Sequence, residues 1–198
     1  SRFEPISCEY GLCGDEDAEG RALTVDYGLF RVSSFYAPNS SPGTPKIAKK
    51  VAWLDRLRDH VAERIDKPYF VCGDLNVAHR ESDSRGVAHP FSIGGCSVEE
   101  RRGFQDLLDV CRLCDPMRER SGEKMLGTWW HAGDQARRHD DGIRFDYALV
   151  AAKYRHLVHG SAIHPEVYGS DHCPVSLTVE ISTQGLRKAS LVGQANLF

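Results

Sequence analysis

With 198 residues, 41% of them hydrophobic and 27% charged, the chain suits a single soluble globular domain that buries roughly 70% of its unfolded surface. Its net charge of −3 opposes polyanions, so any nucleic-acid binding must come from a local basic face. No apolar run approaches the roughly 20 residues of a membrane span, which excludes a membrane partner from the expectations.

The chain opens on Ser1-Arg2-Phe3, with neither an initiating Met nor an apolar signal segment, and reads as a piece of a longer protein. Arg21–Tyr27 and Phe30–Tyr36 flank Gly28 and predict a β-hairpin. Ala37–Pro45 is a Pro- and Gly-rich loop. Ile47, Val51, Leu54, Leu57, Val61 and Ile65 recur at steps of three and four, which predicts an amphipathic helix with a basic opposite face. Lys67-Pro68 ends it, and the strand Tyr69–Cys72 follows. Ser97-Val-Glu-Glu100 is a capping box opening a helix through Phe104, Leu107, Leu108 and Cys111. Thr128–Trp130, Arg144–Val150 and Val175–Ile181 read as strands, and Ser82–Gly95 and Gly133–Gly142 as long polar loops. Beyond residue 181 periodicity is lost, so 1–181 is expected to be the domain and 182–198 a flexible tail. Strands and helices interleave throughout, which is an α/β pattern.

Seven cysteines, an odd number scattered mostly beside apolar residues, favour reduced thiols in a nuclear or cytosolic compartment. Cys111-Arg-Leu-Cys114 is a lone C-x-x-C, read as a buried helix face in preference to a zinc or redox site.

Three segments carry chemistry. In Gly73-Asp-Leu-Asn76, Asp74 and Asn76 fall on one face of an extended chain where an apolar strand ends. A carboxylate there could ligate a hard cation or take a proton from water, and Asn76 could donate to a phosphate oxygen; an ordinary turn explains the same residues. Asp146 lies within an apolar strand. It either pairs with Arg144 on a solvent face or holds and charges the imidazole of His172. Gly169-Ser-Asp-His-Cys-Pro174 sets an acid beside a histidine in a loop entering a strand. Asp171 suits a metal, and His172 suits charge developing on a phosphate. Three acids, an Asn and a His thus suggest one metal-assisted hydrolytic site.

Tyr36-Ala-Pro-Asn39, Gly73-Asp-Leu-Asn-Val-Ala-His79 with Asp83, Arg144-Phe-Asp-Tyr147 and Gly169-Ser-Asp-His-Cys-Pro174 occur in the order found in the exonuclease III-like apurinic/apyrimidinic (AP) endonucleases. The chain resembles that branch of the endonuclease/exonuclease/phosphatase superfamily from about residue 19 to residue 181. The resemblance implies a four-layer α/β sandwich, two mixed sheets flanked by helices, of which this chain would be the C-terminal two-thirds. It also implies nuclear DNA repair: Mg²⁺-dependent (or Mn²⁺-dependent) hydrolysis of double-stranded DNA 5′ to abasic sites, with 3′-5′ exonuclease or 3′-phosphodiesterase activity. By motif, Tyr36, Asp74, Asn76, Asp146 and His172 would be catalytic. Asp74, Asn76, Asp171 and His172 would lie at the metal, and Asn39, Trp129 and Arg144 would contact DNA. Ile143 departs from the family by standing where many relatives have Trp, which bears on selectivity for the abasic sugar.

Two other readings compete: another phosphoesterase of the superfamily, such as a phosphoinositide phosphatase, and a non-catalytic nucleic-acid-binding fragment. At the tail, Gln194-Ala-Asn-Leu197-Phe198 matches the first half of a sliding-clamp-binding peptide.

Overall fold

The computed structural model describes residues 3–184 apart from 16, 43–44, 85–91, 123–125, 132–136, 140 and 183. Of the expected tail only 182 and 184 are described, and the clamp-like peptide lies outside the described residues.

A six-stranded mixed sheet organises the molecule, in the order β1-β2-β3-β4-β6-β5. The strands are β1 (Ser7–Tyr10), β2 (Ala22–Asp26), β3 (Arg31–Tyr36), β4 (Tyr69–Asp74), β5 (Leu113–Cys114) and β6 (Asp146–Ala151). The expected hairpin is β2–β3, antiparallel with Thr24 opposite Ser33. β3 and β4 run parallel, joined by α1 (Pro45–Ala62) as a crossover, and every other pair is antiparallel.

The helical stripe packs as its spacing predicts. Leu54, Leu57 and Val61 join Phe35, Val71, Tyr147 and Leu149 in one core, completed by Phe104 and Leu107 of α2 (Val98–Val110). The capping box forms in both directions: Glu100 N–H donates to Ser97 Oγ at 3.3 Å and Ser97 N–H to Glu100 Oε2 at 3.1 Å. β6 is buried on both faces, since Ala148 and Val150 are covered as fully as Tyr147 and Leu149. The antiparallel pair β7 (Val158–Ile163) and β8 (Val175–Val179) forms a second, smaller sheet, with β8 against β6 and α3 (Pro116–Ser121) against β7. The architecture is therefore the expected layered α/β arrangement. Among the described residues no helix is long and apolar enough to cross a membrane.

Three local readings need correction. Thr128–Trp130 is no strand but a single bridging point, Trp129, which pairs with both Ile143 and His172. Arg144 precedes β6 instead of starting it. Cys111 caps the end of α2 and Cys114 lies in β5, because Arg112 adopts a left-handed φ of 47° that stops the helix between them. Burial pushes both thiols up to about 11, so they remain protonated. All seven cysteines are free.

Candidate active site

Register places the acids. Tyr36 at the end of β3 lies opposite Asp74 at the end of β4, and Asp74 lies opposite Asp146 at the start of β6. Residues 36 and 146, far apart in sequence, thereby flank Asp74 at one edge of the sheet. Gly73 makes the approach possible: its φ is +131° and a Cβ there would stand 2.0 Å from the Phe35 carbonyl oxygen.

The chain does not stay extended after Asp74. Asn76 takes a φ of 51°, and its backbone N–H donates to Asp74 Oδ1 at 2.8 Å. Its side-chain Nδ2 donates to the Ala37 carbonyl at 3.0 Å and to Asp74 Oδ2 at 3.1 Å. Both amide protons are thus committed within the turn, and Oδ1 is the atom left for a ligand. This corrects the expectation that Asn76 donates to a phosphate oxygen. The turn and the site, offered as alternatives by the sequence, are one structure.

A buried ion pair supports it. Lys50 falls on the apolar stripe of α1, wholly buried, 3.0 Å from Glu100. Its ammonium also donates to the Asn76 carbonyl, while Glu100 accepts from the Ser40 hydroxyl and from Gly95 N–H at 3.1 Å. The capping glutamate of α2 therefore also anchors the Asp74–Asn76 turn and the loop carrying Asn39. Sequence periodicity alone missed Lys50, although its position one turn before Leu54 was the available signal.

His172 reaches the acids from the loop before β8. Its Nδ1 lies 2.9 Å from Asp146 Oδ2, so the alternative of an Arg144–Asp146 surface pair falls away. Burial alone would lower the imidazole pKa. The hydrogen bond and charge of Asp146, with Asp74 and Asp171, outweigh that and raise it. A histidine whose charged form is favoured by Asp146 fits a phosphate-facing role better than the metal-ligand role also given to it. Asp74 is pushed up to about 6, chiefly by burial and then by Asp146; Asn76 N–H, His172 and Lys50 oppose the rise. Asp171 is exposed and lowered, mainly because the Trp129 indole N–H donates to its Oδ2 at 3.0 Å.

These groups open onto a cleft of about 860 Å³. Its lining includes Tyr36, Asn39, Asp74, Asn76, Trp129, Asp171 and His172, together with Lys46, His131 and Phe145, which the sequence reading did not single out. Trp129 lies 5.5 Å from the Phe145 ring and forms an aromatic wall. Ile143 is buried behind that wall with Ala78, Cys96 and Phe145. Half-exposed Tyr36 lies under the Arg21 guanidinium, 4.8 Å from the ring centroid.

Arg144 is the clear misassignment. It is fully buried and forks onto Asp115, with Nη1–Oδ2 at 2.6 Å and Nη2–Oδ1 at 2.9 Å. A guanidinium so enclosed cannot touch DNA. It anchors the start of β6 against the N-cap of α3.

The oxygen donors facing the cleft include the carboxylates of Asp74 and Asp171 and the amide of Asn76, beside the imidazoles of His131 and His172. Among the described residues no three His, Cys, Asp or Glu side chains cluster as a metal cage. That set fits a hard cation such as Mg²⁺, which is usually held by one or two carboxylates with water and substrate phosphate completing its shell. Asp74, Asn76 Oδ1 and Asp171 are the atoms that would hold it.

A model of the endonuclease/exonuclease/phosphatase family matches residues 1–172. The chain belongs to that family. Its relatives include exodeoxyribonucleases, a DNA repair nuclease and a DNA-(apurinic or apyrimidinic site) endonuclease from Dictyostelium discoideum. Over 184 residues the chain is 33% identical to the exodeoxyribonuclease of Bacillus subtilis, covering 91% of this chain and 73% of that protein. It is 32% identical to DNA repair nuclease APEX1 of Danio rerio, covering 91% of this chain but 59% of that protein. Among solved structures, the 3′ phosphatase NExo of Neisseria bound to a product DNA hairpin superposes with a TM-score of 0.83 at 25% identity, covering 91% of this chain and 73% of that one. In this family member Tyr36, Asp74 and Asp146 come from three adjacent strand ends, and Asp171 and His172 from the loop before β8.

Proposed function

We propose that this family member hydrolyses a DNA phosphodiester 5′ to abasic sites, with trimming of blocked 3′ ends as a second activity of the same cleft. The observation that carries the reading is the line Asp74–Asp146–His172 across adjacent strands, opening beside an aromatic wall. Asp146 accepts the Nδ1 proton of His172, which fixes the ring so that Nε2–H is the donor left for a phosphate oxygen. Asp74, ionised above about pH 6, orients and deprotonates the attacking water. Tyr36 and Asn39, which also line the cleft, position the scissile phosphate. A divalent cation, when bound by Asp74, Asn76 and Asp171, supplies charge neutralisation of the phosphate. Trp129 and Phe145 offer an apolar surface for a sugar lacking its base.

The test is cleavage of a duplex with one abasic site by the purified protein, beside the same duplex intact, a 3′-phosphorylated nick and an inositol polyphosphate. Incision 5′ to the abasic site that needs Mg²⁺ or Mn²⁺ and ceases in EDTA supports the reading. Turnover of the inositol polyphosphate alone favours the phosphatase alternative, and DNA binding with no turnover of any substrate favours a binding module.

A further inference from the structure

The loop that delivers Asp171 and His172 is held by a residue that the sequence places in an open polar segment. Arg137 is 6% exposed. Its Nη1 donates to the Val167 carbonyl at 2.8 Å, and its Nη2 to the carbonyls of Ser170 at 3.4 Å and His172 at 2.7 Å. The guanidinium lies between two rings, 4.5 Å from the Trp130 centroid and 5.0 Å from that of Tyr168. Among the described residues it has no carboxylate partner.

A cation withdrawn from water without a counter-ion needs its donors filled by oriented dipoles. Here those dipoles are three carbonyls of one hexapeptide, Val167–His172, which contains Gly169 at a φ of +115°. Such a loop has little intrinsic preference for one path. Other ties hold single points of the loop: Val167 N–H donates to the His164 carbonyl at 3.1 Å, Trp130 N–H to the Asp171 carbonyl at 3.0 Å and Cys173 N–H to the Thr128 carbonyl at 2.9 Å, and the His172 imidazole meets Asp146. Arg137 adds the only fork among the described residues that spans both ends of the loop. It is not among the residues that line the cleft, and its bond to the His172 carbonyl acts on the same residue whose imidazole meets Asp146.

We propose that Arg137 is a positioning residue, whose planar fork and aromatic sandwich set the path of the Val167–His172 loop and thereby the aim of the His172 imidazole. This rests on the proposed hydrolytic role of His172. A shift of about 1 Å at reacting groups can cost about 10²-fold in rate. Because Arg137 does not line the cleft, its loss acts on kcat and leaves KM for DNA nearly unchanged.

The experiment compares Arg137→Met, Arg137→Lys and Tyr168→Leu with the parent protein for kcat and KM on the abasic duplex, with folding followed by circular dichroism. The hydrogen-bonded Nδ1 proton of His172 is followed by NMR without substrate. Tyr168 is more than half exposed, so its replacement keeps the fold intact if Arg137→Met does not. We expect kcat to fall about 10²-fold in Arg137→Met, about tenfold in Arg137→Lys, which reaches fewer carbonyls, and severalfold in Tyr168→Leu. The His172 proton signal should weaken in the same order. Unchanged kcat in folded Arg137→Met, an Arg137→Lys enzyme equal to wild type, or an intact His172 signal in all three would overturn the proposal. If the parent protein cleaves no abasic DNA, the NMR arm still decides whether Arg137 aims His172.

Discussion

Replacing Asp74 with Asn should stabilise the protein while disabling it, and the pH dependence of the gain identifies its cause. In the fold Asp74 is raised from 3.8 to about 6, first by burial and then by Asp146 across the strand pair. An acid raised by folding keeps its proton in the native state at pH values where the unfolded chain has released it. Native stability therefore falls as pH rises from about 4 to about 6, and the full cost persists above that. A rise of about 2 units corresponds to about 3 kcal/mol. The amide of the variant still accepts from Asn76 N–H, but it sets a second donor against Asn76 Nδ2, now 3.1 Å from Asp74 Oδ2. Losing that bond returns about 1 kcal/mol. The net expectation is about 2 kcal/mol of added stability near pH 8, and none, or a small loss, below about pH 4. Urea unfolding of both proteins in EDTA at these two pH values measures it. A variant no more stable than wild type near pH 8, or a difference of equal size at both pH values, would refute the electrostatic reasoning.

Three further outcomes are expected. His172→Ala and Asp146→Ala should each lower kcat about 10²–10³-fold with little change in DNA affinity, since both act on charge that develops in the transition state; near-wild-type turnover contradicts the pairing. The rate should fall with rising pH as His172 loses its proton above its usual 6.5, so a rate that is flat through that limb counts against this group. Arg144→Ala should cost about 3–5 kcal/mol of stability by leaving Asp115 buried without its partner, yet leave the salt dependence of DNA binding unchanged; a shallower salt slope would restore Arg144 as a phosphate contact.

The strongest short-range patterns were legible in the chain. The α1 stripe, the β2–β3 hairpin and the Ser97–Glu100 capping box each depend on residues within a few positions of one another, and each forms as the spacing predicts. That Asp74, Asp146 and His172 belong together was also legible, because polar groups where apolar strands end are costly unless partnered.

What only the tertiary structure decided was pairing over distance. Arg144 sits two residues from Asp146 but turns to Asp115, because the chain is not yet in a strand at that point and a buried guanidinium needs a carboxylate that fits its fork. Asn76 gives its amide protons to Ala37 and Asp74 because a left-handed turn, held by buried Lys50, replaces the extended path. Arg137, outwardly one more charge in a polar loop, is enclosed by Trp130 and Tyr168 and tied to His172. A sequence states which side chains can bond, but burial removes water as the competing partner, and only the packed fold determines which groups are left to satisfy one another.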